Sequence, residues 1–159
     1  MARGSDEAVL IREVTEGDFE QWRVLWEGYN AFYGRAGATA LPDAVTRVTW
    51  ARFFDAGQPL FALVAARGAR LVGLAHLVLH GSTIAIAPVC YLQDLYVAGD
   101  CRGAGIGRAL IEAVYEYARS HGSRRVYWQT HETNAAARRL YDTLAQRSGF
   151  IVYRHDLQS

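Results

Sequence analysis

The sequence predicts an α/β fold, a single domain of 159 residues built on a mixed central β-sheet flanked by helices. Strand-like apolar runs alternate along the chain with segments of helical periodicity. A glycine-rich turn joins a strand to a helix near the middle of the chain, and repeats, low-complexity tracts and interdomain linkers are absent from the sequence. The length is near the usual size of one domain, and a hydrophobic fraction of 51% is enough for a substantial core.

The N-terminal part predicts a flexible start over residues 1–7, a strand at Ala8–Val14 and an aromatic helix after polar capping residues at 15–18. Aromatic residues recur along that helix at steps of three and four. They are Phe19, Trp22, Trp26, Tyr29 and Tyr33. Such a stripe is typical of core packing. Tyr29 and Tyr33 at its end, next to glycines, equally suit the mouth of a pocket.

A second helix is predicted from Pro42 to about Asp55, because proline suits a first helical turn. Two strands follow at 61–66 and 71–79, joined by a short hairpin connection that contains Gly68. Residues 80–88 show no clear pattern.

The central stretch at 91–108 organises the chain. Tyr91–Val97 is an apolar run interrupted by Gln93 and Asp94, which predicts a buried strand. Two glycines follow, and helical spacing then runs from Gly105 to about Ser120. In a turn of this kind, amide N–H groups and the positive end of a helix dipole converge, which favours phosphate binding.

The spacing separates the known kinds of phosphate loop. A nucleoside-triphosphate loop needs a lysine, and all 17 basic residues of this chain are arginine. The dinucleotide pattern GxGxxG is matched only weakly, because Leu110 stands at its third glycine and no acidic residue follows about twenty residues later at a strand end. What remains is an R-x-x-G-x-G pattern from Arg102 to Gly107. A tight turn that needs glycine only for its backbone angles stays as the alternative.

The C-terminal part predicts a strand at Val126–Thr130, a helix that begins at Asn134 and a closing strand at Phe150–Asp156. Asn134 and Tyr141 are two helical turns apart and therefore share a face.

Composition excludes several classes of function. A net charge of +1 gives no electrostatic reason to expect nucleic acid or a membrane as partner, and no apolar stretch approaches a membrane span. Two cysteines, Cys90 and Cys101, are too few for a disulfide framework, which favours a cytoplasmic location. Metal binding is not expected, because the cysteines lack zinc spacing and His131-Glu132 lacks the second histidine of HExxH.

The R-x-x-G-x-G loop after a strand, with the order of elements over nearly the whole chain, resembles the Gcn5-related N-acetyltransferase (GNAT) family. Residues 91–108 and 131–156 look most like its branch of diamine acetyltransferases and a yeast histone and polyamine acetyltransferase. The resemblance implies direct transfer of an acetyl group from acetyl-CoA to a primary amine of a small molecule or peptide. It also implies a homodimer.

The resemblance also implies which residues bind the cofactor. The strand would offer backbone groups to the pantetheine arm from Leu95, Tyr96 and Val97. The loop would hold the pyrophosphate with Arg102, Gly103, Ala104, Gly105, Ile106, Gly107 and Arg108. Asn134 and Tyr141 would complete the site. The alternatives are that Asn134 is only a helix N-cap and that Tyr141 is only a core residue.

The resemblance assigns the chemistry to two residues. Tyr141 would protonate the departing thiolate, since its phenol is a donor. Where the diamine branch has glutamate and aspartate, this chain has Gln93 and Asp94, and glutamine accepts no proton. Asp94 is therefore the candidate for binding the substrate ammonium and for deprotonating it through water, with a buried structural carboxylate as the alternative. Tyr29, Tyr33, Gln93 and Asp94 form the predicted acceptor site.

The loss of the base at Gln93 leaves a second hypothesis open, an acyl-CoA-binding sensor or partner-binding module without turnover. A third hypothesis, a nucleotide-binding protein, would require a nicotinamide nucleotide or ATP to bind more tightly than coenzyme A. The acceptor remains open among polyamines, amino-acid-like amines and the lysine of a basic protein.

Overall fold

The structure is a computed structural model that describes residues 7–158. Its contacts divide the chain into two compact units, Met1–Trp128 and Gln129–Ser159. The predicted flexible N-terminus lies outside the described residues except for Glu7. The first unit carries the sheet and three α-helices, and the second carries one α-helix.

The first unit is a five-stranded mixed sheet. Its strands are β1 (Val9–Glu13), β2 (Leu60–Arg67), β3 (Arg70–His80), β4 (Val89–Val97) and β5 (Val126–Tyr127). They lie side by side in chain order, and every pair is antiparallel except β4 and β5, which are parallel. The predicted fold class, α/β with a mixed sheet, is confirmed.

Helices cover the two faces of this sheet. They are α1 (Phe19–Phe32), α2 (Asp43–Arg52) and α3 (Ile106–Ser120). Most of the aromatic stripe of α1 is core, as predicted: Trp22, Trp26 and Tyr29 are buried and pack in one cluster with Leu74 of β3. The opposite face of β3 meets α3, because an added Cβ at Gly73 would lie 3.0 Å from the Leu110 side chain.

A bulge in β4 changes which residues face each helix. His76 of β3 pairs with Asp94 and Leu77 pairs with Leu92, so that Gln93 is an extra residue without a partner on β3. Neighbouring residues of β3 point to opposite faces. Leu92 therefore follows Leu77 to the α3 face, and Asp94 follows His76 to the α1 face.

Polar contacts hold the short segment that precedes α1. Arg12 donates two hydrogen bonds to the Asp18 carboxylate, at 2.7 and 2.9 Å, and Thr15 N donates a third at 2.7 Å. The Arg12 guanidinium contributes most to lowering the pKa of Asp18, which falls to about 2.

The second unit differs from the prediction. Its helix α4 (Ala135–Leu144) begins where Asn134 predicts it, and Asn134 Oδ1 accepts from Ala137 N at 3.4 Å as an N-cap. The strand predicted at Val126–Thr130 is only the two residues of β5. The strand predicted at Phe150–Asp156 is wrong, because this segment joins no ladder in the described structure and its apolar side chains are exposed.

Candidate active site

The glycine-rich loop lies between the end of β4 and the start of α3. Gly103 and Gly105 have φ of 79° and 78°, the left-handed region that favours glycine, and Gly105 is the N-cap of α3. An added Cβ at either residue would meet no heavy atom within 4 Å, so the loop backbone faces open space. The first N–H groups of a helix have no acceptor within the helix. The loop therefore fits a phosphate group, as the sequence predicts.

The outer part of the loop is anchored to the sheet. Arg70 donates two hydrogen bonds to the Asp100 carboxylate, at 2.8 and 2.9 Å, and Cys101 is buried. Arg102 Nε donates to the Val97 carbonyl at 3.3 Å, and its guanidinium lies 5.7 Å from the centre of the Tyr96 ring. These contacts bring positive charge beside the loop.

The strand that precedes the loop has an open edge. β5 pairs with β4 only at Cys90 and Tyr91, so the rest of β4 has no strand on that side within the described chain. Ala98 N donates to Val72 O at 2.8 Å, and antiparallel pairing alternates, which turns the backbone groups of Leu95 and Val97 away from β3. Of the three residues predicted to bind pantetheine, these two offer groups at the open edge, whereas the backbone of Tyr96 faces β3.

Asp94 belongs to a buried polar cluster on the α1 face. Its side chain is 10% exposed, and its Oδ2 lies 2.9 Å from His76 Nδ1. On the far side of the imidazole, Trp22 Nε1 donates to His76 Nε2 at 2.9 Å. The Tyr29 phenol lies beside Asp94, and burial together with the negative charge of Asp94 raises the pKa of Tyr29.

An arginine also lies close to Tyr29. Arg35 Nε donates to Asn30 Oδ1 at 2.7 Å, and its guanidinium lies 5.9 Å from the centre of the Tyr29 ring and 5.5 Å from that of Tyr33. Among the described residues Arg35 has no ion-pair partner. It lines a cavity of about 420 Å³ together with Trp26 and Arg23.

The remaining predicted residues lie at the bulge, on α1, on α4 and around the glycine loop. Gln93 is exposed at the bulge and Tyr33 is 48% exposed, whereas Tyr29 is buried. Tyr141 is half-buried on α4 in the second unit, where Asn134 caps the helix. Ala104, Ile106, Gly107 and Arg108 lie in the loop or the first turn of α3 as predicted, with Gly107 in a helical backbone.

Sequence reasoning missed two residues of this site. His76 was detectable as a histidine in the middle of the apolar run 71–79, and Arg35 as a cation two residues after the end of the aromatic stripe. Their contacts with Asp94 and Tyr29 depend on pairing across the sheet, which the sequence does not display.

Within residues 7–158 no helix is both long and apolar enough to cross a membrane. The same residues contain no group of three or more His, Cys, Asp or Glu side chains arranged to hold a metal ion.

Known proteins resemble this chain over most of its length. Residues 21–145 match the sequence profile of the Acetyltransferase (GNAT) family. The chain is 31% identical over 153 residues to the D-amino-acid N-acetyltransferase HPA3 of Saccharomyces cerevisiae, covering 95% of this chain and 92% of that protein. It is 26% identical to the uncharacterized N-acetyltransferase YhfO of Bacillus subtilis, over 90% of this chain and 94% of that protein.

A solved structure shares the fold. The aminoglycoside N-acetyltransferase AAC(6')-Iy in complex with CoA superposes with a TM-score of 0.80 at 19% identity, covering 98% of this chain and 99% of that one. The glycine loop of this chain has open space before its backbone at Gly103 and Gly105. The chain therefore belongs to the GNAT acetyltransferase family and is an N-acetyltransferase that uses acetyl-CoA.

Proposed function

We propose that the protein acetylates the primary amine of a small amino acid or amino-acid-like molecule by direct transfer. The observation that carries this proposal is that Asp94 and Arg35 both lie close to Tyr29. Asp94 would bind the acceptor ammonium, and Arg35 would bind its carboxylate. A carboxylate and a guanidinium beside the same phenol match the two charges of a zwitterion.

The surroundings of Arg35 support an anionic ligand. Its Nε is held by Asn30, so the guanidinium is oriented before a ligand binds. In the cavity that Arg35 lines, Arg23 is paired with Glu20 and Glu27. Trp26 is 7% exposed, and its indole N–H has no hydrogen-bond partner within the described chain. A polyamine, which carries only positive charge, would be repelled by Arg35.

One relative supports the same acceptor class. The yeast relative is named a D-amino-acid N-acetyltransferase, whereas a Thermobispora bispora relative, 33% identical over 143 residues, is named a mycothiol acetyltransferase. The chain covers only 46% of the latter. The chirality of the acceptor is left to experiment.

Cofactor binding is assigned to the loop and the open edge of β4. Acetyl-CoA supplies an activated acetyl thioester. The amides of the loop from Gly103 to Gly107 and the side chains of Arg102 and Arg108 would hold the pyrophosphate. A role of Asn134 in cofactor binding stays a prediction. Backbone groups of Leu95 and Val97 would bind the pantetheine arm.

The proton steps fall to two side chains. At pH 7 an ammonium with a pKa of about 10.4 is only about one part in 2,500 free amine, equivalent to about 4.6 kcal/mol of barrier. Asp94 would hold this ammonium and remove its proton through water. Tyr141 would donate a proton to the coenzyme A sulfur.

Direct transfer is favoured because neither cysteine is placed to accept an acetyl group. Cys90 is fully buried, and burial raises the pKa of its thiol to about 11, which leaves almost no thiolate at neutral pH. Cys101 is also buried, under the loop. We therefore expect sequential kinetics in which both substrates bind before product is released.

An acceptor screen tests this proposal. Release of free coenzyme A would be measured with D- and L-amino acids, their carboxamides, polyamines and a lysine peptide. We expect amino acids to give the highest kcat/KM, and Arg35→Met to raise KM for an amino acid at least tenfold while leaving its carboxamide unchanged. Arg52→Met, which removes an exposed arginine of α2, is the matched control.

Two results would contradict the proposal. Equal KM values for an amino acid and its carboxamide in the wild type would exclude a carboxylate site. Tight binding of acetyl-CoA without turnover on any amine would favour the sensor hypothesis.

The predicted homodimer and cytoplasmic location are also proposals. Val24 and Phe32 leave apolar surface on α1, 65% and 59% exposed, which a second copy would cover. A monomeric mass in solution at micromolar concentration would contradict the dimer.

A further inference from the structure

A buried histidine that the proton steps above do not use lies directly behind Asp94. His76 is 4% exposed, and the rings of Trp26 and Phe53 lie 5.0 and 4.9 Å from its own. Its two nitrogens each have one polar neighbour, Asp94 Oδ2 and Trp22 Nε1, both at 2.9 Å. The imidazole therefore connects the core of α1 to the proposed acceptor site.

The chemistry of the indole fixes the position of the imidazole proton. Trp22 Nε1–H is a donor only, so His76 Nε2 must be the acceptor and carry no proton. The proton of the neutral ring then lies on Nδ1, which donates to Asp94. Hydrogen bonds thus run in one direction, from Trp22 to His76 to Asp94.

This direction matters for the charge at the site. A doubly protonated His76 would lose its bond from Trp22, because both ring nitrogens would then be donors. It would also pair with Asp94 as a cation and compete with the acceptor ammonium. Trp22 is fully buried and stacks on Trp26, so the indole N–H is held in place.

We propose that His76 is a positioning residue, locked by Trp22 in the tautomer protonated on Nδ1, that holds the Asp94 carboxylate in the orientation that binds the acceptor ammonium. This role rests on the proposed function. His76 contacts Oδ2, and the Tyr29 phenol also hydrogen-bonds to this carboxylate. The neutral ring orients the carboxylate without cancelling its negative charge.

Three variants separate positioning from packing. His76→Asn keeps an N–H donor near the position of Nδ1, whereas His76→Gln keeps a polar atom near Nε2 and loses the donor to Asp94. Trp22→Phe keeps a ring and removes the N–H. Far-UV circular dichroism and thermal melting would show which variants fold.

Kinetics give the first readout. For His76→Gln we expect kcat/KM for the amine to fall tenfold or more, with KM for acetyl-CoA unchanged and activity recovered to within about threefold in His76→Asn. Equal activity of wild type and a folded His76→Gln variant would overturn the role of His76. Equal losses in the Asn and Gln variants would show packing alone and overturn it as well.

The Trp22→Phe variant gives a second readout. Without the indole N–H, His76 loses the contact that fixes its tautomer, so KM for the amine should rise while KM for acetyl-CoA stays unchanged. An unchanged KM for the amine in the folded variant would overturn the proposal.

A spectroscopic readout is independent of turnover. In ¹⁵N-labelled protein the His76 imidazole should show a protonated Nδ1 and an unprotonated Nε2. A protonated Nε2 would overturn this inference even if the enzyme acetylates amino acids as proposed. No turnover on any amine, with the tautomer as stated, would instead overturn the proposed function and with it the positioning role.

Discussion

The loop assignment predicts that Gly105→Ala weakens acetyl-CoA binding more than it weakens folding. Gly105 has φ of 78°, and an added Cβ would meet nothing within 4 Å. The substitution therefore costs only the strain of a side chain in the left-handed region, about 1 kcal/mol of unfolding free energy. The methyl group would project into the space assigned to the pyrophosphate.

The chain offers a matched control at the other end of α3. Gly122 has φ of 79° and equally open surroundings, so Gly122→Ala should cost the same in stability. It follows the 15 residues of α3, about 22 Å along the helix axis from Gly105. We expect its affinity for acetyl-CoA to equal that of the wild type.

Isothermal titration with acetyl-CoA and urea denaturation measure the two effects separately. We expect Kd to rise about tenfold or more in Gly105→Ala, equivalent to about 1.4 kcal/mol, and not in Gly122→Ala. The unfolding free energies of the two variants should agree. The same Kd in folded Gly105→Ala and Gly122→Ala would refute the assignment of this loop to the cofactor.

Two further predictions concern Asp18 and Tyr141. The pKa of Asp18 is lowered from 3.8 to about 2, so its contribution to stability is complete above pH 3.8 and is lost as the pH falls through about 2. Asp18→Asn should cost about 2 kcal/mol at pH 7 by urea denaturation, with the difference from wild type shrinking towards pH 2, whereas the exposed Asp100→Asn should change little. Tyr141→Phe should lower kcat about 100-fold and remove the high-pH limb of its profile, and a wild-type kcat across the pH range would contradict the acid role.

The sequence predicts the elements of this fold better than it predicts their partners. The strand, glycine loop and helix at 91–120 are local features, set by apolar periodicity and by glycines at positive φ, and they lie where the pattern places them. The apolar segment Phe150–Asp156 has equal strand propensity but forms no ladder in the described structure. Strand propensity reflects how well side chains fit a pleated surface, and a strand forms only where a neighbouring strand offers hydrogen-bond partners.

The candidate site was predictable in its residue types but not in its contacts. Asp94 stood out as a charge within an apolar run. Its neighbours His76 and Tyr29 come from another strand and from a helix, at sequence separations of 18 and 65 residues. In the sequence alone, each of them is typical of an ordinary core residue.

The bulge at Gln93 lies between the part of β4 that pairs with β5 and the part that carries Asp94. In a regular strand Leu92 and Asp94 would share one face, and Asp94 would point towards α3 with the apolar side chains of that layer. The extra residue shifts the alternation, so that Asp94 turns to His76 and Tyr29. Pairing with β5 is confined to Cys90 and Tyr91, before the bulge, and the backbone beyond it is open to a ligand.

Gln93 stands where the diamine branch carries a glutamate, and its side chain is exposed. In the function proposed above, Gln93 contributes an added backbone unit, because an amide accepts no proton. The extra residue places the neighbouring carboxylate on the face of His76. We propose that acceptor chemistry falls to Asp94, which hydrogen bonds reach from Trp22 through His76.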